Sequence, residues 1–233
     1  MLAIPTTPSG VIMVKLMVLG AGLVALLLLA ACGDDDADAA SQAPDLPTEE
    51  STIAVLGCSN TRQHARGYTE VSEEDLLAYG PFLAIDGKTL QSWALPGGTA
   101  WDVYDRFEPE GGYAAAWFQM CLLVSEHDGT MNDVHKERVT AVVEMIRAHS
   151  GNIPIYLSPL NFYGPGLVCN LTGTEGVIVA AAIADWGAAN LDNVYRGPDT
   201  GPLSEAQLVG DGCHLNPEGE LFVGEQLVEF FDQ

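Results

Sequence analysis

Positive charge is scarce in this chain. Nine lysines and arginines stand against 32 aspartates and glutamates over 233 residues, a formal net charge of −23 at pH 7. A surface of that sign repels phosphate backbones and anionic head groups, so nucleic acid is excluded as a partner and so is electrostatic adhesion to a membrane. The acidity reads as a solubility device. No Cys-x-x-Cys pair occurs among the five cysteines, which removes the usual spacing for a zinc site, and no metal or other cofactor is expected. Internal repeats are missing too. With 48% hydrophobic residues, the chain still has enough apolar material for one core.

Acidic residues are absent from residues 1–32, where Lys15 is the single base. The apolar run 16–29 follows it, and the segment closes on Leu29-Ala30-Ala31-Cys32. A charged start, an apolar middle and small residues before a cysteine are similar to a bacterial lipoprotein signal. On that reading Met13 is the true start and Cys32 is lipidated, and the protein is exported and held to the cell envelope by its acyl chains. A transmembrane anchor is the competing reading of the same run. Residues 33–51 hold aspartates, alanines, Pro44 and Pro47 and no aromatic residue, the composition of a disordered tether. The folded domain is expected over 52–233.

Beyond Cys32, four cysteines remain: Cys58, Cys121, Cys169 and Cys213. An even set outside the cytoplasm points to two disulfides, with three pairings open. Cys58 precedes Ser59 and Cys213 precedes His214. If that serine and histidine touch, their neighbours are close, which favours Cys58–Cys213 with Cys121–Cys169.

Short apolar runs alternate with helical stretches, the signature of a parallel sheet covered by helices. Strands are expected at 52–56, 91–95, 114–121, 153–158 and 194–195. Helices are expected from Asn60 to about Arg66, from Thr99 as N-cap through Phe107, and over 134–149, 175–188 and 218–231. Pro217 suits the first turn of the last helix. Sites in such sheets form at the carboxyl ends of the strands.

Two motifs carry chemistry. Gly57-Cys58-Ser59-Asn60 follows the first apolar run, and Asp211-Gly212-Cys213-His214-Leu215-Asn216-Pro217-Glu218-Gly219 precedes the last helix. A carboxylate three residues before a histidine can orient its imidazole, and an oriented imidazole can deprotonate a serine. In order and placement these blocks resemble the SGNH/GDSL hydrolase family, over the whole of 52–233. The resemblance implies a flavodoxin-like three-layer α/β/α fold (the SGNH hydrolase fold) and a serine esterase with Ser59 as nucleophile, His214 as base and Asp211 as orienter. Short-chain acyl esters, acetylated carbohydrates and lipid esters are the substrate classes in view.

The same resemblance implies an oxyanion hole from the Ser59 N–H, a glycine N–H and a side-chain amide. Gly98 fits the glycine, with Gly97 as alternative. The family's third block, Gly-x-Asn-Asp, is absent at the strand end, where Gln119 stands instead; Asn132 is the alternative, although a helix cap also accounts for it. That missing block keeps a second function open: a non-catalytic envelope module of the same fold that binds glycan. His64, His127, His135 and His149 read as surface residues, and Trp93, Trp101, Trp117 and Trp186 as core or pocket wall.

Overall fold

The computed structural model describes residues 53–78 and 88–232. The leader with Met13, Lys15 and Cys32 and the tether 33–51 lie outside the described residues. All described residues belong to one compact unit.

Five parallel strands form one sheet in the order β2-β1-β3-β4-β5. These are β1 Ile53–Leu56, β2 Leu77–Ala78, β3 Ala115–Met120, β4 Ile155–Pro159 and β5 Val194–Arg196. That order is the flavodoxin-like one, with a switch point between β1 and β3 where the chain runs to either side. The helices are α1 Ser59–Val71, α2 Leu90–Trp93, α3 Thr99–Arg106, α4 Asp133–Ser150, α5 Gly173–Asn190 and α6 Pro217–Phe231.

Strand alternation sorts the core into two faces. Ala54, Leu56, Ala116, Phe118, Met120 and Leu157 join the larger cluster with residues of α2, α3, α4 and α5. Ile53, Val55, Ala115 and Trp117 join Ala65, Tyr68 and Leu227 from α1 and α6 on the other. The result is a three-layer α/β/α sandwich. Helices α1 and α6 approach at glycines: a Cβ on Gly67 would sit 1.9 Å from the Glu220 carbonyl oxygen, and one on Gly224 would sit 2.3 Å from the Gly67 oxygen. This close crossing brings the loop before α6 beside the start of α1.

The expected second strand at 91–95 is a helix instead. Leu90 and Trp93 are fully buried while Gln91 and Leu95 are exposed, a three-residue repeat rather than the alternation a strand needs. The actual β2 is only two residues long, too short to announce itself in the sequence. Gly98, not Thr99, occupies the N-cap of α3. His64 and His135 are buried, not surface residues, whereas the three tryptophans 93, 101 and 117 are core. Among the described residues no helix is long and apolar enough to cross a membrane.

Candidate active site

Ser59 is the first residue of α1, directly after β1 ends. The turn between them needs Gly57, because a Cβ there would lie 2.2 Å from Thr61 Oγ1 and 2.8 Å from the Gln119 carbonyl oxygen. Thr61 Oγ1 accepts the Cys58 N–H at 3.0 Å and donates to Gln119 Oε1 at 2.7 Å. Trp93 Nε1 donates to the Gly57 carbonyl at 2.8 Å, so α2 sits over the same turn. The Ser59 turn is thus held by the buried side chains of Thr61, Gln119 and Trp93.

The opposite wall is the loop before α6. Asp211 Oδ1 accepts the backbone N–H groups of Cys213 (2.8 Å) and His214 (2.9 Å), folding the loop on itself. Its Oδ2 faces His214 Nδ1 at 2.6 Å. Nδ1 therefore carries the proton, and Nε2 presents its lone pair to Ser59 Oγ at 2.8 Å. Partial burial raises the Asp211 carboxyl; the two backbone N–H bonds and the His214 ring outweigh it and push the carboxyl down to about 2. It is ionised wherever the protein is folded near neutral pH. Leu215, one residue beyond the histidine, donates its N–H to Gln63 Oε1 (3.0 Å) and accepts from Gln63 Nε2 (2.7 Å). One amide side chain thereby clamps the His214 loop to the helix that carries Ser59.

Ser59, His214 and Asp211 form one chain of contacts across 155 residues of sequence. The other expected site residues are placed differently. Gln119 is fully buried beneath α1: its oxygen accepts from Thr61 and its Nε2 donates to His64 Nδ1 at 3.1 Å. Both ends of the amide are committed, so as an oxyanion donor it is corrected. The reason is strand alternation, which turns 117 and 119 to the α1 face. Asn132 caps α4, its Oδ1 accepting from the His135 N–H at 3.2 Å. Gly97 and Gly98 follow α2 directly, Gly97 at φ +70° and Gly98 as the α3 cap. Among the described residues no cluster could hold a metal ion.

The disulfide pairing is also corrected. Cys58 joins Cys121 and Cys169 joins Cys213. Contact between Ser59 and His214 does not join Cys58 and Cys213, because each is already bonded to a cysteine on another segment. Cys58 points into an apolar cluster with Cys121, Leu160 and Val177. Each catalytic candidate still has a cross-linked neighbour.

Sequence reading missed Thr61, Gln63 and Trp93. Gln63 had a signal, lying four residues from Ser59 on the same helix face. Trp93 had none, since its role depends on a helix read as a strand. No protein-family model matches this chain, and no curated protein matches it significantly.

Proposed function

We propose that this protein is a serine ester hydrolase working through an acyl-enzyme. The observation that carries the reading is the Ser59 Oγ to His214 Nε2 contact of 2.8 Å, with Asp211 on the far nitrogen. His214 takes the Ser59 proton as Oγ attacks the ester carbonyl. The carbonyl π electrons move onto oxygen, and the resulting oxyanion meets the Ser59 N–H at the positive end of α1. We place the Gly98 N–H beside it as a second donor. As the intermediate collapses, the C–O bond to the alcohol breaks and His214 protonates the leaving oxygen. Water then attacks the acyl carbonyl, with His214 as base, and Ser59 regains its proton.

Two disulfides suit an oxidising compartment. With the lipobox-like Cys32, they support an exported protein lipid-anchored to the bacterial envelope.

Hydrolysis of p-nitrophenyl acetate and butyrate by wild type and Ser59→Ala tests the esterase reading, together with labelling by a fluorophosphonate. Wild type should be labelled at Ser59 and turn over ester. The variant should lose at least 10³-fold in kcat/KM. Wild type without label or turnover, or a variant as active as wild type, would overturn it.

A further inference from the structure

A closed circuit of bonds surrounds an apolar patch beside the catalytic pair. From Ser59 the chain steps back to Cys58, crosses the disulfide to Cys121, and continues to Leu123 and Val124. The Val124 N–H donates to the Leu171 carbonyl at 2.8 Å. From Leu171 the circuit passes to Cys169, crosses the second disulfide to Cys213, and reaches His214, which contacts Ser59. Three large aliphatic side chains on this circuit are exposed, Leu123 at 41%, Val124 at 56% and Leu171 at 54%, and Val168 at 42% stands next to Cys169. Beneath it the Cys58–Cys121 bridge packs with Leu160 and Val177, with Phe162 half-buried against them. Isolated exposed apolar residues need no explanation, but three on one short circuit through Ser59 and a fourth beside it do. Next to Val168, Leu167 lines an open groove of about 430 Å³ with Leu203. No tryptophan stands at this rim: Trp93, Trp101 and Trp117 are core, and Trp186 lies on α5.

Resting on the esterase reading, we infer that this shelf binds the aliphatic acyl chain of the substrate, and that the preferred substrates are uncharged esters of medium-chain fatty acids rather than acetylated carbohydrates. Each methylene laid on such a surface leaves water, a gain an acetyl group cannot collect. A sugar, in contrast, needs several polar partners or an aromatic platform; here exposed Asn170 stands among the aliphatic side chains, and the Tyr163 hydroxyl is already donated to the Cys213 carbonyl. The chain's net charge of −23 disfavours anionic substrates at the same mouth.

The test is the ratio of kcat/KM for p-nitrophenyl octanoate to that for the acetate, below the micellar range. Wild type should favour octanoate at least tenfold. Val124→Asp and Leu171→Asn, both at exposed positions, should each lower that ratio at least fivefold, and Tyr195→Ser on the far edge strand should not. A wild type that turns over acetate as well as octanoate, or ratios unmoved by Val124→Asp and Leu171→Asn, would overturn the shelf and leave the esterase standing. Turnover of neither ester would instead remove the esterase. Titration of 2-decanone followed by methyl NMR then decides the shelf by itself: saturable shifts at Val124 and Leu171 support it, and none overturns it.

Discussion

Acidification should weaken the fold through one histidine outside the Ser59–His214–Asp211 chain of contacts. His64 is fully buried on α1 and stacks on Trp117 with ring centroids 6.1 Å apart. Its Nδ1 accepts from Gln119 Nε2, so the ring is neutral with its proton on Nε2. Burial lowers its pKa from 6.5 to about 3; Asn161 lies close enough to offset part of this, although the His64 Nε2 and Asn161 Nδ2 atoms make no well-formed hydrogen bond. The sign follows from where protons bind. Between about pH 6.5 and 3 the unfolded chain holds a proton on His64 and the folded chain does not, so unfolding becomes easier as pH falls. The slope is about 1.4 kcal/mol per pH unit, or roughly 2.7 kcal/mol lost by pH 4.5. Urea unfolding at pH 7 and 4.5, followed by tryptophan fluorescence, measures it. His64→Gln keeps a polar partner for Gln119 and removes the titration, so its stability should fall about 2.7 kcal/mol less than that of wild type over the same interval. Asp211 does not confuse the comparison, because its depressed pKa makes its contribution present above about 4 and lost as pH falls toward 2. Parallel curves for the two proteins would refute the reasoning.

Gln119→Leu should strand the Thr61 hydroxyl and the His64 ring nitrogen, costing about 2–4 kcal/mol in urea unfolding. Per folded molecule its esterase activity should fall less than tenfold; a loss of about 10²–10³ would put the amide on the oxyanion after all. Asp211→Asn should lower kcat/KM by roughly 10³–10⁴, because an amide N–H facing Nδ1 favours the tautomer that points Nε2–H at Ser59. Wild-type activity lost between pH 4 and 7 should not trace to Asp211, whose carboxyl titrates near 2. Reducing both disulfides should abolish hydrolysis and lower Tm by 10 °C or more, since bridges spanning 63 and 44 residues each restrict the unfolded chain by about 4 kcal/mol. A Tm within about 3 °C of the oxidised protein would contradict that.

The parts that were legible share a local cause. Asp211 and His214 sit within one turn, so their contact is written in four consecutive residues. Five of the helices, α1 and α3 to α6, and the strands β1, β3, β4 and β5 follow from apolar periodicity and from end signals such as Asn132 as a cap and Pro217 in a first turn. What escaped depends on side chains meeting across the sheet. The stretch 91–95 reads as a strand by composition, yet Leu90–Trp93 is a helix whose Trp93 donates to the Gly57 carbonyl. Gln119 stands at the right strand end for a donor, yet the pleat turns it under α1. Cys58 and Cys213 flank residues that touch, yet each bonds to a cysteine on another segment, Cys121 and Cys169.

By itself, then, the sequence determined the α/β class with a parallel sheet, the Asp211–His214 contact within one turn, and a net charge of −23. These rest on patterns within one element or on summed charge, which need no tertiary contact. Tertiary structure alone decided which cysteines join, that Gln119 braces the Ser59 turn, that Gln63 clamps the His214 loop, and that Leu123, Val124, Val168 and Leu171 stay exposed. Each of these turns on the direction a side chain leaves the backbone once two distant segments are packed, and that direction is set by the crossing of α1 with α6 and the pleat of β3.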